Sequence, residues 1–429
     1  MRKKFLLTLI CIFMSIFTMP LFANGQEESS SSSEDVTEIV YWQYFYETKK
    51  NLMDDLIAEF EAANPDIKVV QQTFPYENYN TKVATSVPTG KGPNVINLFY
   101  GWLPTYMEAG YLQPLPENEF PTSEIEDTFF PLVKAAKFDG QYYAIPTAVR
   151  SLALFWNKDL FREAGLDPNS PPTTLEETVK LAKELTKFDK NGNYVQEGFG
   201  LQLNGQIHHW IREILIRQFG GAPYSEDGQM VTYNNQAGYD AFKFATDLQL
   251  KEKIGMPMFM TDDVTAFKAG ALAMDIDGSF RLGTYDKLED LDYGVTTIPT
   301  YNGIDSNFAS FWANGITSFT SGKELEASAK FLKFLTSDEV MERWLANVGE
   351  LPAKPSVAMQ DKYINDPKYG PFLKGLTNAH ATMFYDENAQ RQVWLDAWDQ
   401  VVINNMSIKE AVDTAAKQEQ AILDKHFNN

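Results

Sequence analysis

The sequence predicts an α/β fold built as two lobes, and two observations support this prediction. The chain has 429 residues, 44% of them apolar and 14% aromatic, which is more than one ordinary hydrophobic core accommodates. Short β-prone runs also alternate with amphipathic helical segments along the chain. Charged residues make up 22% of the sequence, a share typical of folded domains rather than disordered ones.

The first strand–helix–strand unit shows this alternation clearly. Residues 39–42 form a β-prone run, and residues 50–64 follow with apolar side chains at helical spacing. Pro65 ends that helix, because a residue that precedes proline avoids the α region. Residues 67–70 are again β-prone. A helical crossover between two such strands favours parallel pairing in a sheet that helices cover.

The same alternation continues to the C-terminus. Strands are predicted over 95–99, 152–156, 271–276 and 293–298, and helices over 325–335 and 408–422. Thr174 and Glu177 have the spacing of a capping box, which predicts that another helix begins there. Trp394 and Trp398 lie four residues apart on a further predicted helix, so we expect them to pack together.

The first 25 residues have the pattern of an export signal. Basic residues 2–4 precede an apolar stretch over 5–22, and Ala23-Asn24-Gly25 offers small residues for cleavage before Gln26. The alternative is an uncleaved anchor, for which the apolar stretch is short. We therefore expect residues 1–25 to be a cleavable signal peptide and the protein to be periplasmic or otherwise extracytoplasmic.

Composition excludes several classes of partner. The net charge of −21 makes nucleic acid a poor partner, because phosphate binding requires a basic surface.

Residues 26–36, rich in serine and acids, predict a solvated tether. Cys11 lies inside the signal, so the mature chain has no thiol for a disulfide or a metal. His208 and His209 are adjacent rather than four apart, and we expect no metal and no cofactor.

Several motifs resemble those of one known family and occur in the family's order. They are FEAANPDIKV (60–69), GKGPNV (90–95), AGYLQPL (109–115), DGQYYAIP (139–146), LFWNKDLFREAGLDP (154–168), FKAGALAMDIDGSF (267–280), DYGVTTIP (292–299) and KFLKFLTS (330–337). On these motifs the chain resembles the family 1 extracellular solute-binding proteins of ABC importers, the group that contains maltose-binding protein. Asn94, Trp156 and Leu175 stand where that family usually has Asp, Tyr and Trp.

The resemblance implies a periplasmic-binding-protein type II fold. Two lobes, each a mostly parallel sheet flanked by helices, would be joined by a hinge that the chain crosses near 146–150, 299–303 and Ser337. The implied N-terminal lobe comprises 37–148 and 302–337, and the implied C-terminal lobe comprises 149–301 and 338–429. The ligand would bind between the lobes, where sheet ends and loops converge.

The resemblance also implies the function of an ABC importer's substrate-binding component. Such a protein binds a sugar or oligosaccharide by hinge closure, is a monomer, is not an enzyme, and has the importer's transmembrane subunits as partners. The residues leave other ligands open, namely a uronate, a glycerol phosphate or a polyamine. A secreted glycoside-active enzyme is a further alternative, since sequence spacing does not reveal a catalytic carboxylate pair.

Candidate ligand contacts are aromatic and polar residues in segments that match the family's cleft, because sugars stack on rings and bond through hydroxyls. Arg150 occupies a position where maltose-binding protein has a glutamate. Its guanidinium could bond hydroxyls or an anionic ligand, or form an ion pair across the hinge. The aromatic candidates could equally be core residues at strand ends. The candidates are Trp42, Gln43, Tyr44, Tyr100, Trp102, Arg150, Asn204, Gln206, His209, Trp210, Asp277, Gly278, Phe280, Phe311 and Trp312.

Overall fold

A computed structural model describes residues 36–427 of the chain, apart from Asp227 and Met383. The predicted signal peptide and residues 26–35 of the predicted tether lie outside the described residues. Within the described part of the chain, no helix combines the length and the apolar composition that crossing a membrane requires.

The first half of the chain supplies seven strands and six helices to the described structure. They are β1 (Thr37–Tyr44), α1 (Glu47–Ala63), β2 (Ile67–Phe74), α2 (Tyr76–Ser86), β3 (Val95–Phe99), α3 (Leu103–Glu108), β4 (Leu112–Gln113), α4 (Thr122–Thr128), β5 (Lys137–Phe138), β6 (Gln141–Tyr142), β7 (Ala144–Asn157), α5 (Lys158–Glu163) and α6 (Leu175–Leu185). The predicted helix cap is confirmed, because Thr174 Oγ1 accepts a hydrogen bond from the Glu177 amide at 3.1 Å. The Glu177 carboxylate bonds back to Thr173, one residue before the cap.

The remaining elements complete the described structure. They are β8 (Lys187–Phe188), β9 (Tyr194–Gln196), α7 (Ile207–His209), a π-helical segment (Trp210–Leu215), α8 (Ile216–Gln218), α9 (Gln236–Leu250), α10 (Asp263–Lys268), β10 (Met274–Gly278), α11 (Leu282–Tyr285), β11 (Tyr293–Thr296), β12 (Asn307–Thr317), α12 (Gly322–Leu335), α13 (Asp338–Val348), β13 (Leu351–Pro352), α14 (Pro355–Ala358), α15 (Asp361–Ile364), α16 (Tyr369–Leu376), β14 (Ala379–His380), α17 (Glu387–Val402) and α18 (Ile408–Phe427). The predicted strands and helices therefore all occur, with shifts of a few residues at most ends; the strand predicted over 152–156 begins earlier, at Ala144.

One mixed sheet runs through the molecule, and the two long strands β7 and β12 connect its parts. β1 pairs in parallel with β2 and β3, as the first strand–helix–strand unit predicted. β12 pairs antiparallel with both β3 and β7, and the second half of β7 pairs antiparallel with β10 and β11. The α/β class is confirmed, but among the named strands of the described residues parallel pairing occurs only within β1–β3 and at the short β12–β14 contact.

The departure from mostly parallel sheets has a topological reason. Parallel neighbours need a crossover connection, usually a helix, and β1–β3 are joined in this way by α1 and α2. β7 and β12 are instead long strands that lie between other strands of the sheet; they run antiparallel to each other, and β12 also runs antiparallel to β3. The sequence predicted only the second part of β7, over 152–156, and did not predict β12, so it carried no information about how the two strands pair.

Two hydrophobic clusters form the core, and they meet at β7. Ala153 and Phe155 belong to the first core, whereas Leu152, Leu154 and Trp156 belong to the second core. Because successive side chains of a strand point to opposite faces, the second half of β7 separates the two clusters. Two cores agree with the expectation from chain length.

β7 also changes partners along its length. Residues 144–151 pair with β12, and residues 152–157 pair with β10 and β11. The predicted hinge crossing at 146–150 falls just before this change. Thr300, in the second predicted crossing, forms a bridge with Thr174. The lobe boundaries themselves stay predictions.

Candidate ligand cleft

An aromatic cluster lies where β1 and β3 end, beside the middle of β12. The Tyr44 and Trp312 ring centroids are 4.3 Å apart, and Trp102 meets Trp312 edge-on at 5.3 Å. Tyr79 supports the cluster, because its hydroxyl donates to the Trp42 carbonyl at 2.9 Å and the Asn97 carbonyl at 2.8 Å. Tyr44 and Trp312 are buried, whereas Trp102 is half-buried and forms the accessible end of the cluster.

Arg150 joins this cluster to a buried charge network. Its Nη2 donates to the Tyr44 hydroxyl at 2.7 Å, and its guanidinium forms an ion pair with Glu350. Lys49 Nζ lies 2.9 Å from the same carboxylate, and Trp344 Nε1 donates to Glu350 Oε2 at 2.8 Å. The intramolecular ion pair that the sequence left open is therefore present.

The charge network shifts the pKa values of its members. Burial opposes ionisation of Glu350, but the charges of Arg150 and Lys49 outweigh it and lower the pKa of this carboxyl to about 2. Burial lowers the pKa of Lys49 to about 8, although the attraction of Glu350 opposes the shift. At neutral pH the network holds two cations and one anion.

Two guanidinium groups lie close to the Phe280 ring. Those of Arg150 and Arg281 are 4.7 and 4.9 Å from its ring centroid. Arg281 Nε also donates to Asp277 Oδ2 at 2.6 Å, which ties that candidate into an ion pair. A Cβ on Gly278 would stand 2.2 Å from the Phe280 ring, so glycine is needed for the ring to fold back over the strand end.

A second group of candidates surrounds Phe384. The Tyr100 ring stacks on Phe311 at 5.2 Å, and Phe384 lies 6.0 Å from both Tyr100 and His209. His209 also stacks on Phe308 at 4.0 Å, and burial lowers the pKa of this imidazole well below its usual range. His209 is therefore neutral, and it offers a flat polar ring rather than a charge.

A cavity of about 950 Å³ opens beside Trp102. One wall comes from α2 and the α3 region, and the opposite wall comes from the start of α17 and the end of α18. These walls touch where Thr105 Oγ1 donates to the Tyr385 carbonyl at 3.2 Å. The lining includes Asn80, Trp102, Thr105, Tyr106, Glu387 and Asn388.

The carboxylates at this cavity already have intramolecular partners. Glu108 lies 2.9 Å from His426, and Glu387 accepts from Arg391 Nε at 2.8 Å. Asp386 caps α17, because its Oδ1 accepts from the Ala389 amide at 3.0 Å. The cavity therefore offers amides, hydroxyls and aromatic rings more readily than a free charge.

Of the predicted contacts, Trp102 alone is part of the described lining of this cavity. Two other groups of predicted contacts lie behind Trp102. The first group contains Tyr44, Arg150, Phe280 and Trp312, and the second group surrounds Phe384 and contains Tyr100, His209 and Phe311. The other candidates lie elsewhere or serve as structural partners, namely Trp42, Gln43, Asn204, Gln206, Trp210, Asp277 and Gly278.

Several of these outlying candidates have specific neighbours. Trp42 Nε1 donates to Gln72 at 2.9 Å, and Gln43 bonds Gln71 on the same neighbouring strand. The Trp210 ring packs on Phe199 at 5.4 Å inside the second core. Asn204 is exposed, and its carbonyl accepts from Arg391 at 2.9 Å. Gln206 is half-buried just before α7.

Sequence reasoning missed Glu350, Lys49, Phe384 and the start of α17. Glu350 is 200 residues from Arg150, and no local pattern distinguishes it from other acids of this acidic chain. The start of α17 did carry a signal, because Asp386 precedes a helical segment as an N-cap residue does. Trp394 and Trp398 both contact Phe242, whose ring centroid is 5.8 and 6.3 Å from theirs, and their predicted packing on each other stays a prediction.

The fold and the open cavity beside Trp102 are typical of a protein that binds a small molecule. The family of bacterial extracellular solute-binding proteins matches residues 55–371, which is more than half of the chain. The chain belongs to this family, and the predicted resemblance is confirmed.

Individual relatives agree with this assignment. The chain is 24% identical to the maltotriose-binding protein of Pyrococcus abyssi over 355 residues, covering 80% of this chain and 72% of the relative. It is 27% identical to the galactooligosaccharide-binding protein of Bacillus subtilis over 384 residues, covering 86% and 83%. An ABC transporter solute-binding protein of Thermotoga lettingae, solved with α-D-tagatose, superposes with a TM-score of 0.78 at 23% identity, covering 90% of this chain and 100% of that one. The two-lobed α/β fold is thereby confirmed.

Proposed function

We propose that this protein captures a neutral sugar or oligosaccharide outside the cytoplasm and delivers it to the transmembrane subunits of an ABC importer. Membership of an extracellular solute-binding family supports the binding role. Relatives named for maltotriose and galactooligosaccharides support a sugar as the ligand.

The observation that carries the proposal is the cavity beside Trp102. Its volume of about 950 Å³ lies within the range of small-molecule sites. Trp102 and Tyr106 offer apolar ring faces, while Asn80, Thr105 and Asn388 offer hydrogen-bonding groups. This mixture suits a sugar, which has C–H faces and hydroxyls in alternation.

The charges near the cavity favour a neutral ligand over an ionic one. The Arg150 guanidinium already forms an ion pair with Glu350, so it is not free to bind a carboxylate or phosphate group of a ligand. Glu108, Asp386 and Glu387 each have a partner, so they do not form the set of free carboxylates that a polyamine requires. An ionic ligand would have to break one of these contacts in a partly buried site.

Capture would proceed by hinge closure around the ligand. The cavity walls come from α2 and α3, in the proposed N-terminal lobe (37–148 and 302–337), and from α17 and α18, in the proposed C-terminal lobe (149–301 and 338–429). A ligand that contacts both walls stabilises the closed form, and the importer would recognise that form. The bound sugar leaves chemically unaltered. Residues 1–25 would act as a signal peptide, and the mature protein would be a monomer.

A thermal-shift screen tests the ligand class. Neutral malto- and galactooligosaccharides should raise the melting temperature by mass action, whereas uronates, glycerol phosphates and spermidine should not. Chromatography of the recovered sugar should show no change after prolonged incubation. The proposal fails if an ionic ligand gives the largest shift or if the sugar is consumed.

A further inference from the structure

Phe384 lies directly behind the wall of the cavity beside Trp102. Gly101 lines this cavity, and a Cβ at Gly101 would stand 2.8 Å from Phe384 Cδ2. Tyr385, the next residue of the chain, lines the same cavity, whereas Phe384 itself is fully buried. The phenyl ring therefore backs the cavity wall at a place where the lining residue has no side chain.

Two buried polar side chains with unused hydrogen-bonding atoms also lie beside this ring. Arg212 Cζ is 5.0 Å from the Phe384 ring centroid, and the His209 ring centroid is 6.0 Å from it. Arg212 bonds Glu419 through Nη2, but its Nε and Nη1, like His209 Nδ1, have no hydrogen-bond partner among the described residues. Since buried polar atoms are almost always paired in folded proteins, the hydrogen-bonding capacity of these nitrogens is available to a ligand.

The segment that carries Phe384 runs from this cavity to a second one. Thr382 lines the second cavity, which has a volume of about 490 Å³ and is also lined by Tyr224. Arg212 Cζ lies 5.6 Å from the Tyr224 ring centroid, as well as 5.0 Å from that of Phe384. Arg212 therefore lies in the wall between the two cavities, and the Phe384 ring separates it from the first.

We propose that Phe384 sets the depth of the sugar cavity and thereby limits the size of the oligosaccharide that fits. The ring separates the cavity from a polar recess formed by Arg212 and His209, whose unpaired nitrogens match the hydroxyls of a further sugar unit. Because Glu419 already balances the charge of Arg212, the recess suits a neutral unit rather than an anionic one. This role rests on the proposed function, because the cavity beside Trp102 must bind a neutral sugar.

Two ordinary roles of a buried ring predict different behaviour. If Phe384 only filled the first core, truncation would lower the stability and leave the sugar preference unchanged. If Phe384 formed a stacking face, truncation would weaken the binding of every sugar. A ring that limits the depth of the cavity is the case in which truncation improves the binding of longer sugars.

The test is calorimetry of the full mature protein with malto- and galactooligosaccharides, from disaccharides to hexasaccharides. Phe384→Ala should raise the affinity for the longer sugars relative to the disaccharide at least about tenfold, because the added unit gains hydrogen bonds to buried donors. Phe384→Leu removes less of the ring and should shift this ratio in the same direction by a smaller factor, which keeps the test decisive if the alanine variant does not fold. Phe372→Leu alters another fully buried ring of the first core and should leave the ratio as in wild type.

A second variant tests the recess itself. In the Phe384→Ala background, His209→Phe removes the unpaired nitrogen but keeps a ring to stack on Phe308, so it should reduce the gain. An unchanged ratio in the Phe384 variants, a uniform loss of affinity, an equal shift in Phe372→Leu, or a gain that His209→Phe leaves undiminished would each overturn the role of Phe384. Failure of the proposed function gives a different result, because wild type itself would then bind no neutral sugar, and that result would overturn both.

Discussion

Replacing Glu350 with glutamine tests whether the buried charge network holds the first core to β7. Glu350 is the sole anion in contact with Lys49 and Arg150 within the described structure, and its side chain is 4% exposed. Its pKa is lowered to about 2 from an ordinary value near 4.5, and each pKa unit corresponds to about 1.4 kcal/mol. The ionised carboxylate therefore contributes about 3 kcal/mol, close to the roughly 3–5 kcal/mol lost when one partner of a buried pair is removed.

Urea denaturation at pH 7 should show Glu350→Gln losing about 3 kcal/mol of unfolding free energy. The pH dependence provides a second measurement. Since the folded pKa of Glu350 is depressed, its contribution is complete above pH ~4.5 and is lost as the pH falls towards ~2. The variant should lack this part of the acid destabilisation.

Lys49→Met is the matched comparison. It leaves the neutral pair of Arg150 and Glu350, and burial already lowers the pKa of Lys49 to about 8, so its loss should cost less than about 1 kcal/mol. Glu59→Gln, which removes the carboxylate of an exposed pair with Arg343, should also cost less than about 1 kcal/mol. If Glu350→Gln is no more destabilising than these two controls, the charge network does not stabilise the packing of the first core against β7.

Four further variants test the cleft and the stability of the fold. Trp102→Ala should weaken sugar binding by about 1–3 kcal/mol in calorimetry. Trp42→Ala should instead reduce the unfolding free energy by about 3–5 kcal/mol and leave the affinity unchanged, since Trp42 is 5% exposed and packs on the neighbouring strand. If Trp42→Ala weakened binding and Trp102→Ala only reduced stability, the roles assigned to the two residues would be exchanged. Burial raises the pKa of Glu197 to about 9, so the wild type should lose stability as the pH rises from ~4.5 to ~9, and Glu197→Gln should be more stable at pH 8; parallel stability–pH curves for the two proteins would contradict this. Gly278→Ala should cost about 1–3 kcal/mol in urea denaturation, because its Cβ would meet the Phe280 ring at 2.2 Å; an unchanged midpoint would show that the ring yields freely.

The elements of this fold were predictable because their signals are local. The cap at Thr174, the stop at Pro65 and the alternation of β-prone and helical runs each involve a few neighbouring residues, and the structure contains the corresponding elements. Strand direction was not predictable in the same way. The antiparallel pairing of β7 with β12 depends on where two distant segments meet, and no residue in either strand specifies the direction of the other.

The site shows the same division between local and long-range information. The sequence identified Tyr44, Trp102, Arg150 and Trp312 as aromatic and polar residues in segments that match the family's cleft, and the structure gathers them around one cluster. It did not identify Glu350, because only the folded chain brings this acid to Arg150 across 200 residues.

That one long-range contact changes the chemistry expected of the cleft. An unpaired Arg150 would favour an anionic ligand. Because Arg150 is bonded to Glu350 and Tyr44, it instead stabilises the aromatic cluster from behind. The ligand class therefore depends less on the presence of an arginine at this position than on whether its charge is already matched. The substitution Glu350→Gln should therefore change the ligand specificity as well as the stability. By releasing the guanidinium, it should allow anionic sugars to give a thermal shift that wild type lacks, and its failure to do so would show that Arg150 lies too far from the ligand for its charge to influence binding.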